Sequence, residues 1–338
     1  MKAKKAITII SVSVAAVIAA LLVACCLFLW SGYSGDEPCW IYVRSGASDG
    51  DVKSELSSSL GVTGSRAAVL WSLFGGDASR AHGAYRIEPG SSPMKIYRTL
   101  KNRAQTPVKL TFNNIRTMNQ LASRVASCVE GDSASFLAAC DSLLPGMGFK
   151  RAEYPAAFLP DTYEFYWTAS PEKIVSTLAG HRNRFWNDER RAKAKSMGLT
   201  PVQVATVASI AEEETNNRGE RGTVARLYLN RVHKGMKLQA DPTVKFAVGD
   251  FSLRRIKGVH LNVNSPYNTY LNAGLPPGPI RIADAATLDA TLNSKPHNYL
   301  YMCAKEDFSG RHNFASDYSS HQANARKYHK ALNARGIK

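Results

Sequence analysis

The chain has 338 residues, a formal net charge of +16, 44% apolar side chains and only six cysteines. Beyond a membrane segment, roughly 300 residues are enough for two modest cores, while so few and scattered cysteines exclude a disulfide framework. The basic balance asks for an acidic partner, but Lys and Arg form no aromatic-interleaved stripe, which argues against nucleic acid and for anionic headgroups or an anionic wall polymer.

The first element is a membrane address. Lys2, Lys4 and Lys5 precede Ala6 to Trp30, an apolar run interrupted only by Thr8, Ser11 and Ser13. At about 1.5 Å per residue the run reaches roughly 37 Å, enough to cross a bilayer with some tilt. The lysines place residues 1–5 in the cytoplasm, 6–30 in the membrane and the remainder outside, as a single-pass protein. A second reading takes Leu22-Val23-Ala24-Cys25 as a lipobox with Cys25 lipidated, although Cys26 to Trp30 stay apolar where a cleaved lipoprotein turns polar.

Residues 31–152 read as a small α+β region. Trp40 to Val43 is strand-like, Asp49-Gly50 a turn, Asp51 to Leu60 a helix with an acidic start, and Ser65 to Phe74 a second helix capped by Ser65. Gly83 to Ile87 is a strand, Pro93 to Leu100 a helix, Val108 to Phe112 a strand, and Met118 to Val129 and Ser133 to Leu144 are helices. Gly46-Ala47-Ser48-Asp49-Gly50 matches the G-x-S-x-G nucleophile elbow, but one short preceding strand cannot form the sheet that an elbow crowns. A turn before a helix cap is the better account. A single Cys128–Cys140 bridge is left open, and the histidines show no metal-ligand spacing, so neither metal nor cofactor is called for.

Residues 153–338 change in texture. Phe158 to Phe165 is an aromatic loop or strand, and Pro171 to Arg191 a long helix. Thr200 to Thr215 then reads as a helix with Thr200 as N-cap, Pro201 at its first position and Gln203 completing a capping box. At about 100° per residue Val204, Val207, Ile210 and Ala211 share an apolar side. Glu213 falls with Thr206 and Ser209 on the polar side, and Glu212 beside Ala205 and Ala208. Glu214 falls on the apolar stripe, where a desolvated carboxyl stays protonated near neutrality, as a general acid must. The opposing view is a solvated acidic helix end.

A helix from Glu220 to His233 follows, then Gly235 to Val244 with a turn and a short helix starting at Pro242. In Tyr267-Asn268-Thr269-Tyr270, two tyrosines flank an amide and a hydroxyl, a set suited to stacking on a sugar ring and bonding its hydroxyls. Gly274-Leu275-Pro276-Pro277-Gly278-Pro279-Ile280 is a stiff loop that pre-forms such a cleft. Tyr299 to Ala304 and His312 to Phe314 read as a hairpin with Gly310 in its loop, and Ser319 to Leu332 as the last helix.

Several ordered motifs carry a family resemblance. A-S-I-x-E-x-E-T (Ala208 to Thr215), V-A-x-x-x-x-N-R (Val224 to Arg231), G-M-x-L-Q-x-D-P-T-V (Gly235 to Val244), Y-N-T-Y (Tyr267 to Tyr270), G-L-P-P-G-P-I (Gly274 to Ile280), H-x-F (His312 to Phe314) and His321 resemble the endolytic murein transglycosylases of the YceG-like family. Leu159 to Tyr163 resembles a further signature, and Gly83 to Gly90 the family's LysM-like subdomain. The fold implied is α+β: an N-terminal transmembrane helix, a small LysM-like α+β subdomain, then a mixed α+β catalytic domain. The catalytic glutamate implied is Glu214, the residue the helical face selects. Glu213 stands where the family commonly has a basic residue, and its like charge pushes the Glu214 pKa upward; Lys109 to Cys140 departs from the family pattern.

The resemblance implies a lyase that cuts between N-acetylmuramic acid and N-acetylglucosamine without water, leaving 1,6-anhydro ends. Gln239, Asp241, Tyr267, Asn268, Tyr270 and His321 are assigned to the glycan cleft. Asp241, followed by Pro242, also suits an N-cap, and His321 a structural histidine. The partners implied are peptidoglycan strands, the membrane and peptidoglycan synthases or penicillin-binding proteins. Two alternatives are a muramidase using Asp241 or Glu212 as second carboxylate and a non-catalytic wall-binding scaffold.

Overall fold

The computed structural model describes residues 2–253 and 255–336. Met1, Arg254, Ile337 and Lys338 lie outside the described residues, and with them parts of the expected segments 1–5 and 153–338. Helix α1 (Lys2–Trp30) contains Ile10–Leu29, a window of mean hydropathy 2.9, and is the one helix among the described residues long and apolar enough to cross a bilayer.

The chain divides into two compact units. The first runs to Lys109 with two short returns, Cys128–Gly131 and Glu164–Ala169, and the second holds Leu110–Ser127, Asp132–Tyr163 and the chain from Ser170 onward. This division does not follow the boundary expected at 152–153, since most of the helices Met118 to Val129 and Ser133 to Leu144 fall in the second unit.

In the first unit β1 (Cys39–Val43) pairs antiparallel with β2 (Gly83–Ile87), from Cys39 opposite Ile87 to Val43 opposite Gly83. Between them runs α2 (Asp49–Leu73), and α3 (Pro93–Lys101) follows. The two helices expected at 51–60 and 65–74 are one element broken at Gly61, whose φ of 56° and ψ of −132° suit glycine. A Cβ on Gly64 would stand 1.8 Å from the Leu56 oxygen, so the second half of α2 can lie against the first only with glycine there. Ser65 is no cap: its hydroxyl bonds the Gly61 carbonyl within the helix. Ser48 is the N-cap, in a capping box with Asp51, which disposes of the apparent nucleophile elbow. Ile41, Leu56, Trp71, Tyr85, Ile96 and Leu100 fill the core.

The second unit is mainly helical. Strand β3 (Val108–Thr111), α4 (Met118–Ala126), α5 (Ser133–Leu143) and β4 (Thr162–Phe165) come first, with a 3-10 segment at Arg151–Ala157. Cys140 on α5 is a buried free thiol pushed up to about 12 by burial, so no bridge joins it to Cys128. The long helix expected over 171–191 breaks where Asn187 caps a new one: α6 (Pro171–Phe185) is followed by α7 (Asp188–Ser196). Then come α8 (Pro201–Glu214), α9 (Arg221–His233), α10 (Asp241–Val248), α11 (Gly258–Leu261), α12 (Ala285–Leu292), the β5 (Tyr301–Ala304) and β6 (His312–Ala315) hairpin, and α13 (Tyr318–Ala334).

Helix α8 is the axis of this unit. Helices α9, α10 and α12 and the 151–157 segment pack around it, so every residue from Val204 to Glu212 is buried. The expected polar side does not exist: Thr206 and Ser209 are buried, with their hydroxyls bonded to the Val202 and Thr206 carbonyls.

Candidate active site

The N-terminus of α8 is built as the sequence suggests, with the Thr200–Gln203 capping box and Pro201 in the first turn. Its C-terminus stops at Thr215, whose extended backbone (φ −139°, ψ 131°) ends the helix directly after three glutamates. Acids at this end oppose the helix dipole, so each requires a partner or must give up its charge. The three differ in which they do.

Glu212 is the most enclosed, at 7% exposure. One oxygen meets Arg281 at 3.0 Å and the other accepts the Asp284 backbone N–H at 3.0 Å. Glu213 accepts two bonds from Arg116, at 2.8 and 3.0 Å, and one from Arg281 at 2.9 Å. Arg281 therefore ties both acids together. Behind it, Arg221 binds Asp284 at 2.8 Å and Thr287 at 2.6 Å. Glu213 is thus no solvated residue, as the helical wheel suggested, but the centre of a charge ladder.

Among the described residues Glu214 has no such cation. Among the described residues its only hydrogen bond comes from the Tyr228 hydroxyl of α9, which donates to Oε1 at 2.6 Å. The residue keeps some accessible surface, yet dense protein surrounds its carboxyl and strips its hydration. Burial pushes its pKa up to about 7; the Tyr228 bond opposes this, Asp241 adds to it, Lys245 opposes it, and Glu213 adds the smallest contribution. Near neutrality this carboxyl can give a proton and take one back. Tyr228 is itself held well above the usual range, by burial first and then by the Glu214 charge, so it remains a donor.

Of the residues assigned to the cleft, Asp241 and Tyr270 lie within electrostatic reach of this carboxyl. Asp241 is not an N-cap. Ala240 occupies that position, Asp241 is the first residue of α10, and its carboxylate accepts the Tyr270 hydroxyl at 2.7 Å. Burial raises the Tyr270 pKa, with the Asp241 bond second. Gln239 is exposed and sits at φ 51°, a left-handed conformation that costs a non-glycine residue about 1–3 kcal/mol. The Arg231 guanidinium holds its side-chain oxygen at 2.6 Å, and Thr269 takes its backbone N–H.

The other three stand further back. Asn268 is fully buried; its amide donates to the Leu261 and Val263 carbonyls, and its oxygen accepts the Tyr270 N–H. It organises the loop that carries Tyr270 and is not free to bond a sugar. Tyr267 packs on Phe246 with ring centroids 4.7 Å apart and donates to the Ala152 carbonyl at 3.3 Å, at the margin of the α8 core. His321 stacks on Tyr301, whose ring lies under Arg231, the residue that holds Gln239. A cavity of about 40 Å³ beside Glu213, Arg116 and Lys245 has room for a few waters and not for a sugar ring.

The sequence reading missed Tyr228, Arg116, Arg281 and Lys245. Tyr228 lies one turn after Val224 and three residues before Arg231, inside a motif whose variable positions gave no reason to prefer it. Among the described residues no three His, Cys, Asp or Glu converge as a metal site.

Residues 41–327 match the YceG-like family. The chain belongs to that family. The endolytic murein transglycosylase of Bacillus subtilis is 34% identical over 170 residues, covering 50% of this YceG-like chain and 46% of that protein. The endolytic murein transglycosylase of Streptococcus pneumoniae strain D39 is 25% identical over 173 residues, covering 50% and 31%. The matched region thus spans less than half the length of these relatives. A crystal structure of a yceG-like protein from Listeria monocytogenes shares the fold, with a TM-score of 0.58 and 24% identity over 86% of this chain and 99% of that one.

Proposed function

We propose that this YceG-like chain is a membrane-anchored endolytic lytic transglycosylase of peptidoglycan strands, with Glu214 as its acid and base. The observation that carries this is the contrast within the acidic run: Glu212 and Glu213 are tied to arginines, while Glu214 has one tyrosine bond and a pKa near 7. The protonated carboxyl gives its proton to the glycosidic oxygen as the bond to the muramic anomeric carbon breaks. The resulting carboxylate then takes the proton of the muramic 6-hydroxyl, whose oxygen closes on that carbon. Water takes no part, and an anhydro end remains. Asp241, anchored by Tyr270, supports the developing positive charge on the sugar ring; Gln239 and Tyr270 grip the strand.

The β1–α2–β2 unit with its break at Gly61 has a β-α-α-β order, which supports the LysM-like reading and a second hold on glycan. Helix α1 continues unbroken through Cys25 and Cys26 to Trp30, which favours a retained inner-membrane anchor over lipidation at Cys25. With the catalytic unit on the outer side, peptidoglycan synthases are the natural partners. One observation favours a second reading, a muramidase: Asp241 is close enough to raise the Glu214 pKa and so to serve as a second carboxylate. The direct test of Glu214 is Glu214→Gln, which keeps shape and removes the titrating proton. Release of soluble fragments from purified peptidoglycan should fall by orders of magnitude with an unchanged circular dichroism spectrum. A variant that digests at the original rate removes Glu214 from the mechanism.

A further inference from the structure

The second half of α2 and its C-cap carry four large apolar side chains that stay exposed, although the Phe74 ring also meets Tyr97 with centroids 5.9 Å apart. Val62, Val69, Leu73 and Phe74 are 69%, 46%, 69% and 52% exposed. This is not a loosely folded stretch, since Thr63, Ala67, Ala68, Leu70 and Trp71 on its other side are all buried. Val62, Arg66, Val69 and Leu73 follow the spacing i, i+4, i+7, i+11, which puts them on one face of the helix. A monomeric soluble surface rarely keeps such a contiguous apolar stripe.

Where that stripe points is set by Arg66, which lies in its middle. The Arg66 guanidinium donates to the Leu27 carbonyl at 3.1 Å and to the Ser31 hydroxyl, and stands 5.7 Å from the centroid of the Phe28 ring. Leu27, Phe28 and Ser31 mark the place where α1 leaves the apolar window that ends at Leu29. Phe28 and Leu29 also pack against the core of the first unit. The apolar face of α2 therefore looks toward the level at which the anchor exits the hydrocarbon. At one end of the stripe, Lys101 of α3 donates to the Phe74 carbonyl at 3.1 Å, adding a second cation beside the apolar residues. Apolar side chains on one face with basic residues among them form the pattern of a helix that lies in a bilayer interface, with the cations at phosphate level.

We infer that residues 62–73 form an interfacial helix that seats the first unit on the phospholipid surface crossed by α1, with Val62, Val69 and Leu73 in the headgroup boundary. This rests on the anchor reading made above. Seated in this way the first unit is held against the bilayer and does not swing on a free tether, so its approach to glycan is restricted to strands close to the membrane.

The test uses the full chain in native membranes, with the photo-crosslinking residue p-benzoylphenylalanine placed at Val69, Leu73 or Val62, and at Arg44 as a control. Arg44 is exposed and lies just past Val43, at the far end of β1 from the anchor. Irradiation followed by mass spectrometry should give phospholipid adducts at the three stripe positions and none at Arg44. The double change Val69→Glu and Leu73→Glu touches only exposed positions, and it should abolish the lipid adduct formed at Val62. Membrane fractionation is run in parallel. A chain found cleaved and soluble overturns the anchor and the docking together. A membrane-bound chain that gives no lipid adducts at the stripe, or protein adducts in their place, overturns the docking alone and leaves the catalytic reading intact.

Discussion

Replacing Glu214 by Gln should stabilise the folded chain at alkaline pH while abolishing its chemistry. A carboxyl raised from 4.5 to about 7 holds its proton more tightly in the native state than in the unfolded chain. Between those two values the unfolded carboxyl has ionised and the native one has not, so stability falls as pH rises through that window and stays lowered above it. At about 1.4 kcal/mol per pH unit the full loss is about 3 kcal/mol, an upper figure because the side chain keeps some solvent access. Gln ionises in neither state and can still accept the Tyr228 hydroxyl. Its gain over the unmodified chain should be near zero below pH 4, about 1 kcal/mol at pH 5 and about 3 kcal/mol above pH 8. For a unit of this size that is roughly 6–12 °C in melting temperature at the alkaline end. Thermal unfolding of both proteins in detergent at pH 5 and pH 8.5 measures the difference. A gain that does not grow with pH, or a variant less stable at both, would refute the claim that burial has raised this carboxyl.

The charge ladder and the residues around Glu214 give further expectations. Arg281→Ala leaves Glu212 and Glu213 short of a buried cation and should cost about 3 kcal/mol in denaturant unfolding, part of it recovered by adding Glu212→Gln; no loss would mean that the ladder contributes nothing. Tyr228→Phe removes the bond that lowers the Glu214 pKa, so the alkaline limb of the activity profile should move to higher pH. Asp241→Asn removes a charge that raises it, so that limb should move to lower pH, with a reduced rate but anhydro products still formed. Shifts in the opposite directions would show that another group sets the limb.

Much of the site was legible because local chemistry recorded it. The Thr200–Gln203 box, the stop at Thr215 and the choice of Glu214 all follow from residues within one helix. The reason for singling out Glu214 changes in the structure. The wheel assumed a solvated polar side, whereas α8 is buried all round from Val204 to Glu212; among the described residues Glu214 differs from its neighbours by lacking an arginine and not by being deepest. Arg116 and Arg281 lie 97 and 68 residues from Glu213, and no periodicity reaches that far. Asp241 before Pro242 looked like a cap because caps are local, but Tyr270, distant in sequence, takes its carboxylate. Asn268 likewise turned inward to hold the Tyr270 loop. In the first unit, the break at Gly61 was read as a gap between two helices, since a single left-handed residue leaves no mark on hydrophobic spacing.

The central claim is that Glu214 cuts glycan without water, and the ends of the cut strands record it. Full-length protein incubated with purified peptidoglycan, followed by mass spectrometry of the products, reads those ends directly. The expected result is new 1,6-anhydro muramic ends from the unmodified chain, none from Glu214→Gln, and anhydro ends still formed by Asp241→Asn. New reducing ends, with Asp241→Asn as inactive as Glu214→Gln, would contradict this account and establish a two-carboxylate muramidase in its place.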